Sequence, residues 1–333
     1  FRGMTLTEED LIQLFYYKFT ETPLLKRMDA VKDYFIDSWE TLKGRNISED
    51  DQEMLQMKFD KMYTTKDIYT IYNWMLDDCD CDLLPEVPYE KRKLPYEDVF
   101  PMLYLKYRLS GGNSTHKNIK HLVIDEMQDY TYLQYTILES LFHCRMTILG
   151  DRAQTLDTKQ QDVLRFLPKL LGREIRTIEI KKSYRNTLEI ARYAEKVSGV
   201  SDLELLDRHG KEVVEKTFNT DTELLDELVC HLKCPGDFET AALLTTTEEE
   251  AFDLSRLLKL RGINVSYVDR NSSAFKKGLT VTTFYLAKGL EFDQVFALRG
   301  AKENPLKNQA EYICATRALH ELYVYEIANS LSK

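Results

Sequence analysis

The chain has 333 residues, of which 43% are hydrophobic, 30% charged and 11% aromatic, and this composition excludes an intrinsically disordered protein. Its formal net charge of −10 excludes a general nucleic-acid coat protein, which would be strongly basic, but is compatible with a narrow basic groove. No apolar run approaches the ~18 residues of a membrane span, and no signal-peptide pattern is present, so we expect no membrane segment. The length predicts two domains or three.

Residues 1–110 are predicted to be an all-helical segment. Apolar and aromatic side chains recur at helical spacing over residues 11–19 and again over residues 31–39. Pro85 to Pro95 interrupts this pattern, and a further helix is predicted over Tyr96 to Leu109. We interpret the aromatic stripe as core packing.

Strands and helices alternate from residue 121 onwards. Leu122 to Ile124 and Met146 to Leu149 are predicted strands, and helices are predicted over residues 131–142 and about 159–168. Alternation of this kind predicts a parallel sheet, whose ligands gather at the carboxyl ends of its strands. Residues 111–175 are therefore predicted to be an incomplete α/β domain.

A second alternating series predicts a further α/β domain over residues 176–333. The predicted strands are Ile178 to Ile180, Val213 to Phe218, Ala241 to Leu244, Val265 to Val268, Val281 to Phe284, Val295 to Leu298 and Leu322 to Tyr325. Helices are predicted near residues 186–198, 221–233, 248–261 and 307–319. The predicted fold class is thus α/β, with two parallel-sheet domains after a helical segment.

The cysteines indicate a reducing compartment. Cys79 with Cys81, and Cys230 with Cys234, come nearest to the spacing of metal ligands. Neither pair has a second half at zinc-ribbon distance, so we expect free thiols. The predicted location is cytoplasmic.

Two adjacent carboxylates, Asp125 and Glu126, follow a predicted buried strand. This layout is typical of a metal-dependent nucleotide hydrolase, in which one carboxylate holds Mg²⁺ against the phosphates and its neighbour positions or deprotonates the attacking water. An acidic strand end is often only a solvated surface, so the pair by itself is weak support.

Four further segments place polar groups where a nucleotide enzyme needs them. Gln154 follows a strand and can reach a terminal phosphate or the attacking water. Arg185 can cross a cleft to phosphate, and Tyr184 can stack on a base. Residues 288–291 put lysine, glycine and glutamate in a tight turn between strands, and Arg317 lies near the start of a helix or within it.

In this order the segments resemble superfamily 1 helicases of the UvrD/Rep/PcrA type. Residues 125–129 are similar to motif II, and residues 150–154 are similar to motif III. Residues 183–186 are similar to motif IV, 288–292 to motif V and 316–318 to motif VI. The resemblance implies two RecA-like domains, with ATP and Mg²⁺ bound in the cleft between them.

The resemblance also implies roles for the catalytic groups. Asp125 would bind Mg²⁺, and Glu126 would act as the catalytic base. Gln154 would sense the γ-phosphate. Arg185 and Arg317 would stabilise its developing charge as arginine fingers.

Binding residues are implied in the same way. Tyr184 would stack on adenine and Glu291 would contact the ribose, with Lys288 and Gly289 also at the nucleotide. Thr283 lies where the family touches the backbone of a single strand, which makes single-stranded DNA one expected partner.

Two departures from the family matter. No Gly-x-x-x-x-Gly-Lys-Ser/Thr sequence occurs in the chain, which begins at Phe1 rather than Met. We therefore expect a fragment of a longer protein, with the phosphate-binding loop upstream of Phe1, and little or no ATPase activity from the fragment alone. Tyr285 stands where the family usually has His, and we predict a nucleic-acid contact there as well.

Tyr285, together with the Leu-Pro-Tyr-Glu-Asp-Val sequence of residues 94–99 that leads into the helix before motif II, looks more like the HelD group, helicase-like ATPases that act on RNA polymerase. An acidic chain with a helical segment before motif II also suits a polymerase-facing arm better than a protein that splits DNA duplexes. The leading interpretation is the motor portion of such an ATPase, with residues 1–110 as part of a helical arm. The alternatives are a 3′-to-5′ DNA helicase acting on single-stranded DNA, a catalytically silent binding scaffold and, more distantly, an unrelated mononucleotide-binding enzyme.

Overall fold

The computed structural model describes residues 1–112, 118–156, 163–172, 175–199, 203–233, 238–272, 277–300 and 305–328. Contacts divide the chain into two compact units. The first unit, called the helical unit below, comprises Phe1–Ile124 and Tyr130–Thr147, and the second, called the sheet unit, comprises Asp125–Asp129 and Ile148–Lys333. The domain boundaries near residues 110 and 175 stay a prediction.

The helical unit begins with helices only, as the spacing of apolar residues predicts. Its α-helices up to residue 112 are α1 (Glu8–Ile12), α2 (Arg27–Lys43), α3 (Glu49–Asp60), α4 (Ile68–Asp78) and α5 (Tyr96–Ser110), and a π-helix covers Gln13–Lys18. Local sequence sets several of the ends. Thr7 and Asp10 form a capping box at the start of α1, and Gly44 ends α2 in the left-handed region at φ 64°.

The core of the helical unit comes from the predicted aromatic stripe. Val31, Phe35 and Trp39 lie one turn apart on α2 and pack with Leu55 and Phe59 of α3. A smaller cluster joins α4 to α5. Strand β1 (His121–Ile124), helix α6 (Tyr132–Leu141) and strand β2 (Arg145–Ile148) follow, and β1 and β2 form a two-stranded sheet.

In the described part of the sheet unit, six parallel strands form one sheet. Two short strands, β3 (Lys182–Ser183) and β4 (Glu204–Leu205), pair separately. The six strands are β5 (Val214–Phe218), β6 (Thr240–Thr245), β7 (Ser266–Tyr267), β8 (Gly278–Thr283), β9 (Phe292–Arg299) and β10 (Ala318–Ile327). Their order is β5-β10-β9-β6-β8-β7, so β6 and β9 are central.

Helices cover both faces of this sheet because the central strands are apolar on both sides. Successive residues of β6 point to opposite faces, so Leu243 enters one core and Leu244 the other, and both are buried. The helices of the unit are α7 (Val163–Leu171), α8 (Leu188–Ser198), α9 (Asp221–Lys233), α10 (Glu248–Leu260) and α11 (Lys307–Arg317). Helices α8 and α11 contribute to the Leu244 core, and α9 and α10 to the Leu243 core.

The predicted fold class is confirmed: the chain is α/β, with a parallel sheet after a helical segment. The strand predicted over Ile178 to Ile180 is wrong. Both isoleucines are exposed, and without a neighbouring ladder the alternating pattern there has nothing to pair with. The helix predicted at about residues 159–168 is present over Val163–Leu171, and residues 157–162 lie outside the described ranges.

The cysteines and the apolar character of the helices can be described for the covered part of the chain. Cys79, Cys81 and Cys230 are free, whereas Cys234 lies outside the described residues. Within the described ranges, none of the helices combines the length and apolar character that crossing a bilayer requires.

Candidate functional site

The turn that follows β1 carries the two predicted catalytic carboxylates. Asp125 accepts a hydrogen bond at Oδ1 from the Glu126 backbone N–H, at 2.8 Å. Glu126 lies in the left-handed region at φ 53°, which is uncommon for a residue with a side chain. Gln128 donates from Nε2 to Glu126 Oε2. The Glu126 carboxylate is thus held by its own turn, on a backbone that is strained at this residue.

Gly150 allows this turn to approach the end of β2 closely. The Met127 N–H donates to the Leu149 carbonyl at 2.8 Å, and the Asp151 N–H donates to Gln128 Oε1 at 3.1 Å. A Cβ at Gly150 would lie 2.5 Å from Gln128 Oε1 and 2.6 Å from the Met127 nitrogen. Position 150 therefore needs glycine because its backbone packs against the turn at residues 125–129, and not because of a special φ.

Gln154 is buried at 9% exposure, and its amide is fixed at both ends. Nε2 donates to Asp151 Oδ2 at 2.9 Å, and Oε1 accepts from Arg317 Nη2 at 3.3 Å. Tyr312 donates its hydroxyl to the same Asp151 oxygen at 2.8 Å. The segment at residues 150–154 is therefore connected to α11 through side chains.

Arg317 is the last residue of α11 and is only 3% exposed. Its Nη1 donates to the Leu290 carbonyl at 3.3 Å, whereas its Nε has no acceptor among the described residues. Burial first, and then the positive charge of Arg185, lower the pKa of Arg317 from its ordinary value. The negative charges nearby, Glu126 and Glu291 among them, act in the opposite direction.

Arg185 and Glu291 form an ion pair of 2.7 Å in which both side chains stay partly exposed, at 51% and 40%. The neighbouring Asn186 is buried and donates from Nδ2 to two carbonyls at the end of α11, those of Ala315 at 3.3 Å and Ala318 at 2.6 Å. Asn186 therefore fastens the segment that carries Arg185 to the helix end that carries Arg317.

Lys288 contacts protein carboxylates and carbonyls. Its Nζ lies 2.8 and 2.6 Å from the two oxygens of Asp129, donates to the Gln154 carbonyl at 3.1 Å, and is 3.9 Å from Glu126 Oε2. The side chain is only 10% exposed. Gly289, next in the turn, adopts φ 78°, which favours glycine.

The three remaining predicted residues differ in their exposure and in their hydrogen bonds. Tyr184 is 62% exposed, as a base-stacking residue would be. Thr283 is 1% exposed and accepts a hydrogen bond from the Leu286 N–H, at 3.4 Å. Tyr285 donates its hydroxyl to Glu248 at 3.0 Å. The predicted nucleic-acid contacts of Thr283 and Tyr285 stay predictions.

The cluster in the sheet unit lies where β9 and β10 begin. Ala318 pairs with Phe292 in the register of these two strands, so Arg317 and Glu291, which directly precede them, are neighbours. The sequence predicts ligands at the carboxyl ends of strands, whereas Glu291 and Arg317 lie at the amino ends of β9 and β10.

Sequence reasoning missed several residues of the cluster. Asp129 had a signal, since it is the third carboxylate in the five residues from Asp125. The sequence indicates Asp151 and Asn186 only as members of the segments at residues 150–154 and 183–186, without a role of their own. Tyr312 had no signal, because a tyrosine on an amphipathic helix is usually core packing.

The described residues contain no group of three or more His, Cys, Asp or Glu side chains placed to hold a metal ion. Among comparisons with known proteins, no family model and no curated protein matches the chain. The chain is similar to a solved C-terminal domain of a possible DNA helicase from Lactobacillus plantarum WCFS1, at 26% identity, over 45% of this chain and 90% of that one. The TM-score of 0.37 is too low to support an argument about function.

Proposed function

We propose that the chain supplies catalytic groups for ATP hydrolysis in a motor protein of the superfamily 1 helicase type. The observation that carries the proposal is the Nε–H of Arg317, which is buried and without an acceptor among the described residues. A buried donor left unpaired costs about 1–3 kcal/mol, and more in a charged group. A phosphate oxygen at this position would satisfy it.

The neighbouring side chains suit the same chemistry. Arg185 is partly exposed, and its positive charge contributes to lowering the pKa of Arg317. The two guanidinium groups are therefore near enough for both to face the negative charge that develops on a transferred phosphoryl group. Gln154 can orient the attacking water through its amide. Glu126 can accept the proton of that water at its carboxylate.

Mg²⁺ fits the donors that are present. Asp125 is exposed, and Oδ1 of its carboxylate accepts from the Glu126 N–H. A single carboxylate is an adequate protein ligand for Mg²⁺ when nucleotide phosphates and water complete the octahedron. When bound, the ion would neutralise phosphate charge.

Replacement of Arg317 tests the catalytic part of the proposal. In the longest natural form of the protein, Arg317→Ala is expected to lower kcat for ATP by about 100-fold to 1000-fold, with a much smaller change in KM, because the guanidinium acts on transition-state charge. Arg256→Ala is the matched control, since Arg256 is 65% exposed and lies on α10. Equal losses of kcat and of ATP affinity would mean that Arg317 only holds ground-state nucleotide.

We infer further that the motor remodels complexes of RNA polymerase with nucleic acid, as in the HelD group. Two observations favour a protein partner over a single DNA strand. Thr283 is buried, and the Tyr285 hydroxyl is already used by Glu248. The net charge of −10 also disfavours extensive contact with phosphates.

The partner is tested by the ATPase rate of the longest natural form alone, with single-stranded DNA, and with purified RNA polymerase. We expect the protein to bind RNA polymerase or its ATPase rate to rise in the presence of the polymerase, and we expect single-stranded DNA to leave that rate unchanged. Strong stimulation by single strands would instead favour the alternative, a DNA helicase or translocase. A protein that binds polymerase without hydrolysing ATP would be the silent scaffold.

A further inference from the structure

We propose that Asp151 and Tyr312 are positioning residues that fix the orientation of the Gln154 amide. The proposal deepens the proposed function and rests on it, because the orientation matters for hydrolysis only if Gln154 acts on a phosphate or on the attacking water. The geometry itself is a chain of three hydrogen bonds, from Tyr312 to Asp151, between Asp151 and Gln154, and between Gln154 and Arg317.

Hydrogen-bonding chemistry allows only one orientation of this amide. Nε2 can only donate, and it faces the Asp151 carboxylate, which can only accept. Oε1 can only accept, and it faces a guanidinium nitrogen of Arg317, which can only donate. Rotating the amide by half a turn would set donor against donor and acceptor against acceptor. The flip is therefore excluded as long as Asp151 stays in place.

Asp151 is itself held at both carboxylate oxygens. Oδ1 accepts from the Ala153 N–H at 3.0 Å, which starts the short 3₁₀ turn containing Gln154. Oδ2 accepts from both Gln154 and Tyr312. Tyr312 is 8% exposed, and its burial, followed by the charge of Asp151, raises its pKa above the ordinary value. The phenol therefore remains a donor at any working pH.

The amide keeps hydrogen-bonding capacity for a ligand in this orientation. Nε2 has a second hydrogen and Oε1 a second lone pair, and within the described residues Asp151 and Arg317 use one of each. Because Tyr312 lies on α11, a few residues before Arg317, a single helix sets both ends of the amide. Movement of α11 would thus reorient Gln154 and Arg317 together.

A double-mutant cycle in the longest natural form of the protein tests this coupling. Tyr312→Phe is expected to lower kcat for ATP by about tenfold, or ~1.4 kcal/mol, and to leave KM within about twofold. In a Gln154→Ala background the same substitution is expected to change kcat by less than about twofold, because the hydroxyl would act only through Gln154. Equal effects in both backgrounds would overturn the proposal.

Tyr325→Phe is the matched control for loss of a buried phenol. Tyr325 is 0% exposed on β10 of the same sheet, and its hydroxyl has no partner among the described residues. The Tyr325→Phe substitution is expected to leave kcat for ATP unchanged. A loss equal to that of Tyr312→Phe would mean that kcat reports general packing of the sheet unit, which would contradict a specific positioning role.

A second measurement does not depend on hydrolysis. In protein labelled with ¹⁵N-glutamine, the Gln154 side-chain amide is expected to show one slowly exchanging hydrogen, and Tyr312→Phe is expected to accelerate its exchange. Unchanged exchange would overturn the positioning role, whatever the ATPase result. Absence of ATPase activity in the wild type, with the exchange behaving as expected, would instead overturn the proposed function and leave the geometry of Gln154 supported.

Discussion

Replacing Asn186 by alanine should destabilise the sheet unit by about 3 kcal/mol. The Asn186 amide donates to the carbonyls of Ala315 and Ala318 at 3.3 and 2.6 Å, and it is buried. Each lost hydrogen bond costs ~1 kcal/mol. The space left by the amide adds ~1 kcal/mol, by analogy with other buried truncations. The helix end that carries Arg317 would lose its attachment to the segment of Arg185.

Urea unfolding can measure this cost separately for the two units. Both tryptophans of the chain, Trp39 and Trp74, lie in the helical unit, so their fluorescence reports on that unit. Far-UV circular dichroism reports on the helical unit and on the sheet unit. With a slope of ~2 kcal/mol per molar urea, the circular-dichroism transition of the sheet unit should move down by about 1.5 M in Asn186→Ala, with the fluorescence transition unchanged.

Two variants make the result decisive. Asn186→Asp should destabilise at least as much, because a carboxylate would face the two carbonyl oxygens without a donor. Asn219→Ala removes an exposed asparagine of the same unit and should leave the midpoint within about 0.2 M of the wild type. If Asn186→Ala behaved like Asn219→Ala, the buried amide would not hold the helix end, and the reasoning would be refuted.

Three further predictions concern neighbouring contacts. Gly150→Ala should destabilise the protein by about 1–3 kcal/mol in urea unfolding, because the new Cβ would lie 2.5 Å from Gln128 Oε1, and an unchanged midpoint would contradict the close approach. Lys288→Met should lower the free energy of unfolding by about 1–2 kcal/mol in thermal unfolding, because the carboxylates of Asp129 and Glu126 lose a cation whose side chain is only 10% exposed. An unchanged Tm would mean that this contact does not contribute to stability. The hydrogen bond to Glu189 raises the pKa of His209 above its ordinary 6.5, and the same hydrogen bond lowers the pKa of Glu189 to about 2. The contribution of the pair is therefore full between pH 4.5 and pH 6.5, is lost as the pH rises through the higher folded value of His209, and is also lost in acid as Glu189 is protonated. An NMR titration should place the His209 midpoint above 6.5 and Glu189→Gln should lower it, whereas a wild-type midpoint at or below 6.5 would contradict the pairing.

Periodicity predicted the fold better than it predicted the contacts of the site. Helix α9 has the predicted bounds, because its apolar spacing and its burial on the sheet agree. The strand predicted over Ile178 to Ile180 is wrong, since strand formation depends on a neighbour that the local sequence does not specify. The contact of Asp151 with Tyr312 joins residues 161 positions apart, and no local pattern encodes such a pair. Motif order predicts which side chains are candidates for catalysis, whereas the partners that orient those side chains are visible only in the tertiary structure.

Main-chain oxygens accept several of the hydrogen bonds that hold the cluster, and this shapes how the chain can diverge over time. Arg317 donates to the carbonyl of Leu290, and Asn186 donates to those of Ala315 and Ala318. A carbonyl is present whatever the side chain, so packing alone restricts the three accepting positions. Genetic drift there should exchange residues of similar volume freely, while the two donors should tolerate no exchange.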